Sequence, residues 1–133
     1  MIPETGNLLK HDFKIVQQPS KTFRIAIENG CMMGMTDGVE ALKQSITCIL
    51  NTERYDWLIY SWNYGVELKN LFGKSSGLVK AKLRKRITEA LQQDDRIKSV
   101  DDFSFVVTGK TLHVTFTVHS LFGAIDVKKE VSI

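Results

Sequence analysis

Gly73-Lys74-Ser75 is the first place in this chain where residue type and spacing suggest chemistry. A glycine-lysine-serine run ends the loop that cradles nucleotide phosphates, but that loop also needs a glycine five residues before Gly73. Leu68 stands there, and no parallel strand-helix-strand pattern surrounds it, so the run reads as a loop and a helix cap. His113 and His119 share one face of a strand-like stretch with Thr115 and Thr117. Six residues of strand hold them about 20 Å apart, too far for one metal ion. With His11 alone near the start, the three histidines read as solvated surface groups. Cys31 and Cys48 lack metal-ligand spacing and a nearby histidine in a nucleophile context, so they are expected to be reduced, buried thiols. There is no G-x-S-x-G elbow. These tests leave no catalytic, metal or cofactor residue to name.

Two chemistries stay open beside that reading. Glu53, Glu67, Asp94, Asp95, Asp101 and Asp102 offer carboxylate pairs, as a lysozyme-like peptidoglycan hydrolase would require. Such a site also needs a cleft that holds one carboxyl in an apolar pocket, and the sequence shows none. The basic run 80–86 places Lys82, Lys85 and Arg86 together on a helix, and Lys80 with Arg84. It reads as a solvated face, as a surface for an acidic protein partner, or as a nucleic-acid contact without stacking aromatics.

The elements that would carry these residues follow from periodicity. Residues 1–20, with Pro3, Gly6 and Pro19, read as a loosely ordered segment. Phe23, Ile25 and Ile27 alternate with polar or small residues, the pattern of a strand with one buried face. Glu28-Asn29-Gly30 turns the chain, and 31–35 forms a short strand or extended connection. Asp37 is placed to cap a helix over 38–50, with Glu40 in the capping-box position, and Val39, Leu42, Ile46, Ile49 and Leu50 make its stripe. The aromatic run 52–65 reads as an irregular segment covering the core, with a short helix near 67–72. Ser75 or Ser76 caps a second helix over 77–93, buried through Leu83, Ile87, Ala90 and Leu91. Period 2 then takes over. Phe103, Phe105 and Val107 are followed by Leu112, Val114, Phe116 and Val118, and then by Ile125, Val127, Val131 and Ile133. The fold class is α+β: two main helices packed on a small, mostly antiparallel sheet ending in a three-stranded meander.

Length and composition bound the rest. A chain of 133 residues supports one domain, 1–133, and 43% hydrophobic with 25% charged residues is an ordinary globular balance rather than that of a disordered chain. A net charge of +3 is too small to argue for nucleic acid or an anionic membrane. No basic-then-apolar leader and no run of about 18–20 apolar residues is present, so a cytoplasmic product is expected.

Two segments carry a family resemblance. The first runs from the helix at 39–50 through Leu50-Asn51-Thr52-Glu53-Arg54 to Tyr60-Ser61-Trp62-Asn63-Tyr64-Gly65-Val66-Glu67-Leu68. The second runs from Ile87-Thr88-Glu89-Ala90-Leu91 through Asp94-Asp95-Arg96-Ile97 to Phe103. Together, over about 35–133, they resemble the sheath-initiator and baseplate-wedge proteins of contractile phage tails. The nearer branch is the XkdS-like proteins of defective prophages and phage-tail-like bacteriocins. The wider family reads Glu-Pro-Arg where this chain reads Asp94-Asp95-Arg96, which keeps an acid and the arginine and loses the proline.

The resemblance implies a structural subunit rather than an enzyme. Its expected partners are sheath protein, baseplate wedge proteins and tail hub or tube proteins, with about six copies around the tail axis. Neither nucleic acid nor membrane is among those partners, and no cofactor is implied. The particle baseplate is the expected final location, after assembly in the cytoplasm. Partner contacts are expected at Arg54, Lys82, Lys85, Arg86, Asp94 and Arg96, and along the last strand at Ile125, Val127, Val131 and Ile133. An edge on that strand would suit docking by strand addition, and the plain alternative is a terminal strand paired internally with no partner.

Overall fold

The computed structural model describes residues 19–71 and 73–132. Most of the expected N-terminal segment, with His11, lies outside them, as do Phe72 and Ile133. The elements run β1 (Thr22–Ala26), β2 (Cys31–Thr36), α1 (Gly38–Asn51), α2 (Ser76–Leu91), β3 (Ile97–Thr108), β4 (Thr111–Ser120) and β5 (Gly123–Ser132). Single 3-10 turns occur at Ile27–Asn29 and Lys69–Leu71. The α+β architecture is as expected, and β3, β4 and β5 form an antiparallel meander in that order.

Helix α1 starts where Asp37, in extended backbone, accepts a hydrogen bond from Gly38 N–H at 2.7 Å. Glu40 does not close a capping box; its carboxylate pairs with Lys43 at 3.3 Å instead. At α2 Ser75 holds the cap position without a side-chain hydrogen bond. Ala41, Leu42, Ile46, Ile49 and Leu50 of α1 are buried with Val79, Leu83, Ile87, Ala90 and Leu91 of α2. They pack with Leu112, Val114, Phe116 and Val118 of β4 into one core, in which Phe116 is fully enclosed. Removing four such β4 side chains from water stabilises the fold by about 1.5–3 kcal/mol each before entropy is counted.

Strand β3 is longer than its alternation predicts. Its residues on the inner face are Ile97, Val100, Phe103 and Phe105, with Val107 exposed at the end of that face, and two spacings of three precede the spacings of two. Register shifts between Ile97 and Ser99 and between Asp101 and Ser104 explain them. Each bulge inserts an extra residue and returns the next apolar side chain to the same face. Asp102 absorbs the second bulge at φ 57°.

Strands β1 and β2 correct an expectation. They form a separate two-stranded sheet, and Phe23 and Ile25 are 63% and 39% exposed rather than buried. With β3–β5 already covering the helices, no layer lies over the hairpin among the described residues. The Gln44 side chain of α1 anchors it, accepting from Ile25 N–H at 3.0 Å and donating to the Phe23 carbonyl at 2.8 Å. Cys31, on β2, is exposed, contrary to the expected buried thiol, and Cys48 is half-buried.

Candidate functional site

Four of the expected contact residues converge. Arg54, Lys82, Lys85 and Arg86 line an open pocket of about 250 Å³ with Gly65, Glu67 and Glu89. Helical spacing sets Lys82 and Arg86 one turn apart at the flank of the stripe formed by Val79, Leu83 and Ile87, with Lys85 further out toward solvent. Arg54 arrives from the other wall because the chain after α1 runs beside Val66. Arg54 N–H donates to the Val66 carbonyl at 3.3 Å, and Val66 N–H to the Thr52 carbonyl at 3.0 Å. That approach depends on Gly65, at φ 93°, where a Cβ would lie 2.7 Å from the Thr52 carbonyl oxygen. Arg86 donates to the Glu67 carbonyl at 3.0 Å, which fixes the floor. Lys74, followed by burial and the Arg86 charge, pushes the Lys82 amine below its usual pKa. The pocket thus crowds positive charge that an anionic group would relieve.

Asp94 and Arg96 lie elsewhere and turn inward. Arg96 donates to both Asp94 carboxylate oxygens, at 2.9 and 2.7 Å, to Ser20 Oγ at 2.8 Å and to Ser45 Oγ at 3.0 Å. Both side chains are almost wholly withdrawn from solvent, at 12% and 11% exposed. Burial raises the Asp94 pKa, but the hydrogen bonds and charge of Arg96 outweigh it and hold the carboxyl below its usual 3.8. The pair ties the exit of α2 to α1 and to the chain before β1.

The last strand offers backbone rather than side chains. Ile125 and Val131 are buried and Val127 half-buried on the inner face, while Ile133 lies outside the described residues. Lys129 also points inward, where its amine donates to Asn51 Oδ1 at 2.8 Å and burial lowers its pKa. Strand β5 pairs with β4 without a break from Thr111↔Ser132 to Ser120↔Gly123. Among the described residues nothing pairs with its other edge.

The remaining candidates of the sequence find plain surroundings. Glu53 accepts from Leu68 N–H at 3.0 and 3.2 Å and from Lys69 N–H at 3.0 Å, so its carboxylate caps the 3-10 turn. His113 sits 3.4 Å from Glu130 and His119 3.6 Å from Asp101, on the outer face of the sheet. No group of three or more metal-type ligands occurs among the described residues. No described helix is long and apolar enough to cross a membrane.

The aromatic run after α1 does not cover the core. Only Tyr64, Gly65 and Val66 turn inward, whereas Trp57, Leu58, Ile59 and Trp62 are 58%, 105%, 84% and 80% exposed. Tyr55, at φ 73°, starts the excursion, and the stacked rings of Tyr60 and Tyr64, 4.6 Å apart, close it. The signal in the sequence is an aromatic run without period 2 or period 3.6, which has no buried face to form.

The sequence profile of the contractile injection system sheath initiator family matches residues 16–123. The chain is also 35% identical over 118 residues to the phage-like element PBSX protein XkdS of Bacillus subtilis (strain 168), which spans 86% of this chain and 84% of that relative. The profile extends across both helices, the pocket, β3 and β4 to the first residue of β5, and the chain belongs to the sheath initiator family of contractile injection systems.

Proposed function

We propose that this chain is a structural baseplate subunit that links wedge and hub or tube proteins to the first sheath ring, and that sheath docks by adding a strand to β5. The carrying observation is the difference between the two sheet edges. β5 presents ten residues in regular register, whereas β3 is bulged twice. Charge does not separate the edges, since β5 carries Asp126, Lys128, Lys129 and Glu130 and β3 carries Lys98, Asp101 and Asp102. Bulges blunt an edge, and a regular strand with alternate unpaired amides accepts another. About six copies around the tail axis would present six such edges in a ring. Assembly would take place in the cytoplasm and the chain would remain in the particle baseplate.

The two other chemistries have less support. Glu53 and Asp94 already serve backbone amides and Arg96, and a depressed Asp94 is the reverse of a general acid. The basic pocket includes two carboxylates that phosphates would meet. Deleting the gene from a contractile particle tests the assembly reading. Tubes and baseplates without sheath are expected, and normal sheathed particles would overturn it. A zymogram of the folded protein on peptidoglycan is expected to stay blank; clearing lost in Glu53→Gln would restore the hydrolase.

A further inference from the structure

We propose that the aromatic loop 55–62 and the basic pocket beside it form one surface, which receives an acidic protein segment bearing apolar side chains from a neighbouring tail subunit. Arg54 makes the two parts continuous. Its Nε donates to the Trp62 carbonyl at 2.7 Å and its guanidinium lies 4.9 Å over the Tyr55 ring, while the same side chain lines the pocket with Lys82, Lys85 and Arg86.

The charge balance selects an anionic occupant. Glu53 is bonded to backbone amides and Asp56 to Lys69, so the acids nearest the loop are engaged within the chain. Glu67 bonds Asn70, and Glu89 reaches Lys85 only at 3.9 Å with both side chains exposed. That leaves a surplus of cations around the opening, Arg54, Lys82, Lys85 and Arg86 against Glu67 and Glu89. The apolar side chains select a protein. Trp57 and Trp62 would stack on a base as readily as on a protein, but Leu58 and Ile59 between them offer no stacking surface, and a large exposed apolar patch beside a polar rim marks a protein contact. Tryptophan and arginine are the residues that most often anchor such contacts. An acidic segment with apolar anchors would set its carboxylates on Lys82, Lys85 and Arg86 and its apolar groups on Trp57 and Trp62.

This rests on the assembly reading, and the test separates the two. Amine acetylation followed by mass spectrometry compares Lys82 and Lys85 in the free protein and in purified particles, with carbodiimide cross-linking on the same samples. The expected result is a loss of labelling at both lysines in particles, with cross-links to aspartate or glutamate of another chain. Trp62→Ala at an exposed position, with Lys82→Glu at a half-buried one, should reduce incorporation in competition with the wild type by about tenfold or more. Particles lacking the chain would overturn the assembly reading and this inference with it. A chain present in particles, with Lys82 and Lys85 as reactive as when free, would overturn this inference alone. So would protection that disappears on nuclease treatment.

Discussion

Replacing Arg96 with methionine keeps the aliphatic stem and removes the guanidinium that holds Asp94, Ser20 and Ser45 together. Breaking a buried ion pair costs about 3–5 kcal/mol, and a hydrogen bond to a charged group about 1.5–3. Asp94 lies at a pocket mouth and keeps its bond from the Arg96 backbone N–H at 3.0 Å, so water can resolvate it after the substitution. The expected loss is therefore about 2–3 kcal/mol, or a melting temperature lower by about 10 °C in a domain of this size. Urea titration followed by tryptophan fluorescence and circular dichroism measures it, with an unchanged slope as the check on two-state behaviour. The pH dependence supplies a second reading. The folded pKa of Asp94 is depressed below 3.8, so its stabilisation is present above that unfolded value and is lost as pH falls through the folded one. The gap between wild type and Arg96→Met should thus be full at pH 6 and close in stronger acid. A loss below about 0.5 kcal/mol at pH 6 would refute the internal role and return Arg96 to the partner-contact reading.

Two further perturbations probe the scaffold of the pocket. Gly65→Ala should destabilise by about 2 kcal/mol or more, from positive φ and a 2.7 Å clash with backbone, whereas Gly77→Ala, with open space around its Cβ, should stabilise by about 0.5 kcal/mol. Thermal melts of both variants side by side check this. Glu53→Gln weakens the acceptor for Leu68 and Lys69 and should cost about 1 kcal/mol, with faster amide exchange at those two residues.

Much of the fold was legible because its core follows simple periods. Leu42, Ile46, Ile49 and Leu50, then Leu83, Ile87 and Leu91, and the strict alternation of Leu112 to Val118 each fall on one buried face. The first half of β3 was hidden because its two bulges replace a spacing of two by spacings of three at Ile97, Val100 and Phe103. Strand β1 follows its alternation yet lacks the buried face expected of it, since alternation gives the sides of a strand but not whether a layer covers either side. The grouping of Lys82, Lys85 and Arg86 followed from helical spacing, while Arg54 beside them depends on the Gly65 turn. The inward role of Arg96 required partners at Ser20 and Ser45, distant in sequence and invisible to any local pattern.

Amide exchange of β5 during sheath assembly tests the central claim most directly. In the free subunit the alternate amides of Gly123–Ser132 that face away from β4 should exchange quickly, because nothing described pairs with that edge. When sheath protein is added to baseplates, those amides should become protected while the peptide covering β3 stays unchanged. Sheath that assembles while β5 exchanges as fast as before, or protection that appears along β3 instead, would contradict docking on the last strand.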